Sequence, residues 1–334
     1  MKRFSACIFP LVCLSLASCA GGPPADSIGG LQRNIVVRAE SRPEKHQAVQ
    51  TDAAVVHYAR FIRLFEAVSN EAMRRDGMRR MAQLQQQADA GSTGNKGQVP
   101  LAAVVSLFES LMQAYPQQRN DRLLYQLSRE YDESGQQAAA LASLDRLVSQ
   151  YPDTVYYAEA QFRRGEILFV QRAYSRAEVA YTAVVAIGSQ SKLYEQALYK
   201  QGWSRFKQSH YEAALDAFMQ ILDRHIDRDP FDMATLSRSQ RDFIEDIFRA
   251  ISLSFSYQAG AQSADDYLSR RNKRVYEDML FDQLAQFYLQ KKHYADAVKA
   301  CQTFVARNPD HPRSPEFLLQ VIAIYKQGGF PNLL

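Results

Sequence analysis

Histidines, paired carboxylates, a glycine-rich loop with a lysine and an activated serine are the residue sets through which this 334-residue chain could do chemistry. The six histidines are His46, His57, His210, His225, His293 and His311. None stands in a His-Glu-x-x-His pattern or another metal-ligand spacing. The glycine-rich stretch Gly91–Gly97 carries Lys96. A phosphate loop needs Ser or Thr after that lysine and a strand before it; here Gly97 follows. No Gly-x-Ser-x-Gly nucleophile elbow occurs. The acidic pairs Glu130/Glu133 and Asp265/Asp266 read as solvated helix faces. The expectation is a chain without catalytic residues, metal ligands or cofactor.

Charge excludes another class. The chain has 40 basic and 36 acidic residues, a net +4. Lys2 and Arg3 lie in a segment expected to be removed, which leaves about +2. Nucleic-acid binding needs concentrated basic charge, so no nucleic-acid partner is expected. The run Arg270, Arg271, Lys273, Arg274 reads as a solvated loop.

The N-terminus opens Met-Lys-Arg, continues with an apolar stretch from Phe4 to Leu16, and reaches Leu16-Ala17-Ser18-Cys19. A basic start, a short apolar core and small residues describe a secretory signal peptide. The core is too short to span a bilayer, which takes roughly 20 apolar residues. Leu-Ala-Ser-Cys resembles the lipobox of bacterial lipoproteins. That resemblance implies a signal peptide over 1–18, cleavage before Cys19 and lipidation of that cysteine. Residue 20 is Ala rather than Asp, which in the lipoprotein family resembles the outer-membrane sorting pattern, facing the periplasm. An ordinary signal peptide cut near Ala20 is the alternative. Cys7 and Cys13 fall in the discarded segment, so Cys301 is the one free thiol of the mature chain, expected to be buried. Residues 19–46 are Gly/Pro-rich and polar, a tether.

The elements that follow repeat. Ser128, Gly165 and Gly202 stand 37 residues apart. Twelve residues after each comes Ala140, Ala177 or Ala214; four further, Leu144, Tyr181 or Phe218; three further, Leu147, Val184 or Ile221. A fourth copy aligns Ala285 with Ala297, Cys301 and Phe304. Tyr174, Tyr211 and Tyr294 share a position just before the second helix. Apolar residues recur at three and four, the helical period, so each unit is two amphipathic helices. Tyr151-Pro152 and Asn308-Pro309 end two of the second helices. The small residues permit close approach, where larger side chains would overpack.

This pattern resembles the tetratricopeptide repeat (TPR). The resemblance implies an all-α fold, an α-solenoid of helix–turn–helix units, and covers about 121–225 and 276–309. Three units are expected over 117–228, a divergent helix pair over 229–275, and a further unit plus an unpaired first helix over 276–334. Before them, 47–116 holds N-terminal helices with a flexible insertion at 90–100. Tyr58, Ile62, Leu64 and Phe65 lie on apolar faces there, and Leu101–Tyr115 is a second repeat helix. Pro315–Lys326 is a first helix with no visible successor, so Phe317, Val321 and Ile324 are expected to be partly uncovered. A truncated member of a longer family is one reading, and a partner over that end the other.

In a TPR stack the first helix of each unit lines the concave side. Its outward positions would be Tyr125, Arg129 and Asp132; Phe162, Glu166 and Phe169 beside Arg163; and Tyr199, Trp203 and Phe206 beside Lys200 and Lys207. Aromatic and Arg side chains are what interface hot spots use. The alternative is that these aromatics pack between repeats. The first expectation is a periplasm-facing, lipid-anchored scaffold binding protein or peptide partners. Such proteins resemble the assembly lipoprotein of the outer-membrane β-barrel machinery and envelope coordinators of cell division. An activator of peptidoglycan-synthesising enzymes is the second reading, and a lytic enzyme with a solenoid body the third.

Overall fold

The computed structural model describes residues 63–90, 99–226, 232–330 and 332. The signal peptide, Cys19, the tether, Tyr58, Ile62 and most of the 90–100 insertion lie outside them. Among the described residues are thirteen α-helices, one 3-10 turn (Met233–Thr235), the end of a helix at 63–67 and no strand. In chain order the helices are α1 (Glu71–Ala90), α2 (Leu101–Ala114), α3 (Asp121–Glu133), α4 (Gln137–Gln150), α5 (Tyr157–Val170), α6 (Tyr174–Ala186) and α7 (Tyr194–Lys207). Then come α8 (Tyr211–His225), α9 (Arg238–Ser256), α10 (Ala261–Ser269), α11 (Glu277–Gln290), α12 (Tyr294–Arg307) and α13 (Ser314–Gly328). Most pack chiefly on their chain neighbours; α9 also reaches α11, and the short α10 packs more on α12 than on α9. The expected all-α solenoid of helix pairs is the fold.

Each pair closes on the small residue of its first helix. Gly165 lies under the ring of Tyr181 and Gly202 under that of Phe218; a β-carbon on Gly165 would sit 2.5 Å from Tyr181 Cε1. Both glycines are buried. The close approach is therefore ring to backbone, sixteen residues along the chain. Ser128 fills the same place with its hydroxyl satisfied, donating to the Tyr125 carbonyl at 2.7 Å. Gly77 of α1 repeats the arrangement against Leu111 of α2 and Phe65.

The first helices also end alike. Gly135, Arg172, Ser209 and Lys292, each seven residues past the small residue of its helix, and Gly329 after α13 all have φ between 60° and 76°. The next N–H reaches back to a carbonyl of the last turn, as from Ala173 to Leu168 at 2.9 Å and from His293 to Tyr288 at 2.9 Å. That left-handed cap satisfies carbonyls the helix end would leave open. Tyr174, Tyr211 and Tyr294 are the first residues of their helices rather than the residues before them.

Charge stitches one repeat to the next. Arg146 meets Glu109 at 2.9 Å, Lys200 meets Glu166 at 3.0 Å, Arg205 meets Glu178 at 2.8 Å and Arg313 meets Asp278 at 2.7 Å. The 270–274 run departs from the solvated loop expected of it. Arg271 lies 3.6 Å over the Tyr267 ring and pairs with Asp216, Arg274 pairs with Asp223, and Arg270 with Glu212. The acids of α8 hold it down because the short α10 brings it directly over them.

The C-terminal helix corrects a second expectation. Phe317, Val321 and Ile324 are buried, with the Phe317 ring 4.2 Å from that of Phe304. They face α12, the helix that precedes them. The apolar residues left outside are Leu318, Leu319 and Ile322. Cys301 is buried and free as expected, and burial pushes its thiol up to about 12.

Candidate protein-binding surface

The first helices α3, α5 and α7 carry the face singled out from the sequence, and their packing decides which residues reach solvent. Tyr125 is buried and stacked on Tyr156 of the next repeat, centroids 4.5 Å apart. Phe162 meets Tyr181 edge-on at 5.7 Å and Phe169 meets Tyr174 at 5.3 Å. Tyr199 lies among Trp203, Phe218 and Phe243, and Trp203 also touches Phe206 and Phe218. Trp203 is 4% exposed. Of the two readings of these six aromatics, packing within and between repeats is the one realised. They are therefore not exposed hot spots. The helices approach closely over small residues, which turns rings at the groove positions into the gap between neighbours.

What remains accessible is polar. Arg129 and Arg163 are about a third exposed, with side-chain exposures of 39% and 36%. Arg163 pairs with Glu159 at 3.0 Å and reaches Asp132 of the preceding repeat at 4.0 Å. Glu166 accepts from the Tyr181 hydroxyl and from Lys200 Nζ. Burial, then the Glu166 charge, hold the Tyr181 phenol far above its ordinary value. Lys200 itself is mostly covered and lies 5.8 Å over the Phe169 ring. Lys207 stands apart, in the last turn of α7. The result is a ladder of alternating charge over an aromatic floor. Mutual pairing satisfies much of this charge, and exposed pairs contribute about 0–1 kcal/mol each.

Other chemistry-bearing residues fall into structural roles. His225 Nε2 lies 3.0 Å from Glu195. His210 and His293 are the exposed residues before α8 and α12. Among the described residues no group of three or more His, Cys, Asp or Glu could hold a metal ion. None of their helices is long and apolar enough to cross a membrane. The rings of Tyr181 and Phe218, each sixteen residues past its glycine, plug the space over Gly165 and Gly202, a role that the constant offset in the sequence carries.

Stacked helix pairs of this kind offer faces and edges, the class of protein built to hold other proteins. Two segments match family models described as tetratricopeptide repeat, residues 125–192 and 196–225. The chain thus carries tetratricopeptide repeats, and repeats of this type make protein-interaction scaffolds. No curated protein sequence matches it. Among solved structures it is similar to a chain of the APC/C hetero-tetramer Cut9–Hcn1, at 13% identity and a TM-score of 0.32, over 66% of this chain and 39% of that one. It is also similar to the P58(IPK) TPR domain, at 13% identity and a TM-score of 0.26, over 75% of this chain and 66% of that domain. It thus spans about two fifths of the first and just under two thirds of the second.

Proposed function

We propose that this protein is a lipid-anchored scaffold facing the periplasm from the outer membrane, holding protein partners on its repeat surface in cell-envelope assembly or division. The observation that carries the binding role is the inter-repeat charge ladder Asp132–Arg163 and Glu166–Lys200, set on a rigid aromatic floor. Rigid elements present such groups without an ordering cost at each encounter. The envelope location rests on Leu16-Ala17-Ser18-Cys19 behind its apolar core. Two or more acyl chains on Cys19 would anchor the chain stably, since each buried CH₂ contributes about 0.8 kcal/mol.

Two measurements test this reading. Growth with an alkyne-tagged fatty acid should label the wild-type chain in the outer-membrane fraction, and Cys19→Ser should abolish labelling. A photo-crosslinking side chain at position 163 should capture an envelope protein in cells, and one at buried position 203 should capture none. An unlabelled cytosolic chain, or capture from 203 and not 163, overturns it.

A further inference from the structure

A second surface lies on the edge where the first helices end. Four cations stand along it: Arg172, Lys207, Lys291 and Lys292. None has a carboxylate partner among the described residues, whereas Arg164, Arg205, Arg274, Arg307 and Arg313 are each paired to an acid of another helix. Arg172 and Lys292 also occupy the left-handed cap position, at φ 61° and 60°. Glycine fills that position without strain in Gly135 and Gly329, and a side chain there costs about 1–2 kcal/mol. Two of the three turns without glycine thus keep a cation at an energetic cost, which points to use. Burial, then the charge of Arg172, lower the affinity of Lys207 for its proton, a repulsion that a bound anion relieves.

Between these charges is an aromatic cleft. Tyr257, 46% exposed, packs at 5.3 Å on Phe206 and 5.7 Å on Tyr211. Its other side lines a cleft of about 560 Å³ with Phe287, Tyr288, Lys291 and His293. Lys291 Nζ lies 4.3 Å over the Phe287 ring. The one carboxylate lining the cleft, Asp296, lies 3.5 Å from His293 Nδ1. The volume is in the range that accepts a small organic group, roughly 300–1,000 Å³.

We propose that this edge, from Arg172 through Lys207 and Tyr257 to Lys291, docks an extended acidic segment of a partner protein, with an aromatic side chain seated between Tyr257 and Phe287 and carboxylates on Lys207 and Lys291. Arg172, Lys207 and Lys291 stand at the ends of α5, α7 and α11, with Tyr257 at the end of α9 between the last two, an order that suits an extended chain. The cleft favours a peptide over an anionic bilayer, because a flat headgroup surface cannot enter it.

The test uses the full chain and a fluorescein-labelled random Glu–Tyr copolymer, read by anisotropy. The copolymer should bind, more weakly as salt rises, and a Lys–Tyr copolymer should not. The double variant Lys207→Glu/Lys291→Glu should weaken binding about tenfold or more, two reversed charges each contributing. Tyr257→Ala should weaken it severalfold, and Arg163→Glu in the charge ladder should leave it within about twofold. Thermal melts matching wild type establish that the variants fold, and Lys207→Gln/Lys291→Gln serves if the reversal does not. Absence of binding, binding indifferent to the double variant, or equal loss in Arg163→Glu overturns the proposal. So does sedimentation with phosphatidylglycerol vesicles that needs Lys207 and Lys291 while the copolymer fails to bind.

Discussion

The ring of Phe218 occupies the space that a side chain on Gly202 would take: a β-carbon there would lie 2.6 Å from Cε1. Helix propensity favours Ala over Gly by about 1 kcal/mol, yet overpacking a closed core costs about 1–3 kcal/mol. Gly202→Ala should therefore destabilise the chain despite its better propensity. Adding Phe218→Leu, which removes the ring edge, should recover part of the loss. Urea midpoints of the single and double variants check this; additive losses would mean the two residues do not meet.

The left-handed caps predict the opposite sign. Arg172, Ser209 and Lys292 hold φ near 60° with a β-carbon, at about 1–2 kcal/mol each. Glycine removes that strain and adds about 0.5–1 kcal/mol of unfolded-state entropy. Arg172→Gly, Ser209→Gly and Lys292→Gly should each stabilise by roughly 0.5–1 kcal/mol, and Gly135→Ala should destabilise. Because Arg172 lies on the cationic edge, Arg172→Gly should raise the melting temperature while weakening capture of the acidic copolymer.

Arg307 ties three helices together. It pairs with Glu277 of α11 at 2.9 Å and Asp265 of α10 at 3.1 Å, and Glu277 is almost wholly buried. Removing one partner of a buried pair strands the other, at about 3–5 kcal/mol. Arg307→Ala should lower the unfolding midpoint accordingly, and Glu277→Gln in that background should restore part of it, since a neutral amide is cheaper to bury.

Trp203 separates packing from recognition. It contacts Tyr199, Phe206 and Phe218 at centroid distances of 5.3–6.1 Å. Trp203→Ala should cost about 3–5 kcal/mol in stability, with any loss of partner capture following from unfolding. Arg163→Glu should leave the melt near wild type and still lose the partner. If Trp203→Ala folds stably and only binding fails, the residue belongs to an accessible groove after all.

Much of this fold could be read from residue spacing. Gly165, Gly202 and the alanines twelve residues on repeat because tight ring-to-backbone packing tolerates little else, so the period survives in the letters. Exposure of Trp203 and Phe206 could not be read the same way. An aromatic at a groove position and one wedged between repeats share a helical phase; only the rotation of neighbouring helices separates them. The α13 residues show the same limit, since Phe317 and Leu318 differ by one position and the sequence does not say which face meets α12. The cationic edge was harder still. Arg172, Lys207 and Lys291 are distant in sequence, and their lack of carboxylates is a property of their neighbours in space.

Alkaline stability follows from the buried phenols and thiol. Burial, followed by Glu159, pushes Tyr125 from 10.0 up to about 12, and burial pushes Cys301 from 9.0 to about 12. Tyr181, Tyr199, Tyr267 and Tyr276 are raised further, burial again being the largest cause. Each group is neutral when protonated, and the folded state holds that proton more tightly than the unfolded chain. Their contribution is thus fully present below about pH 9 and is lost as pH rises towards 12, with a slope of up to about 1.4 kcal/mol per pH unit for each proton held only by the folded state. Melting temperature should be flat through neutral pH and fall steeply above about pH 9. Tyrosinate absorbance from these residues should appear together with loss of helicity, and Cys301 should stay inert to a thiol reagent at pH 8 until denaturant is added. Tyrosine ionisation completed near pH 10 with helicity intact would show that these rings are open to water and that the inter-repeat packing is looser than described.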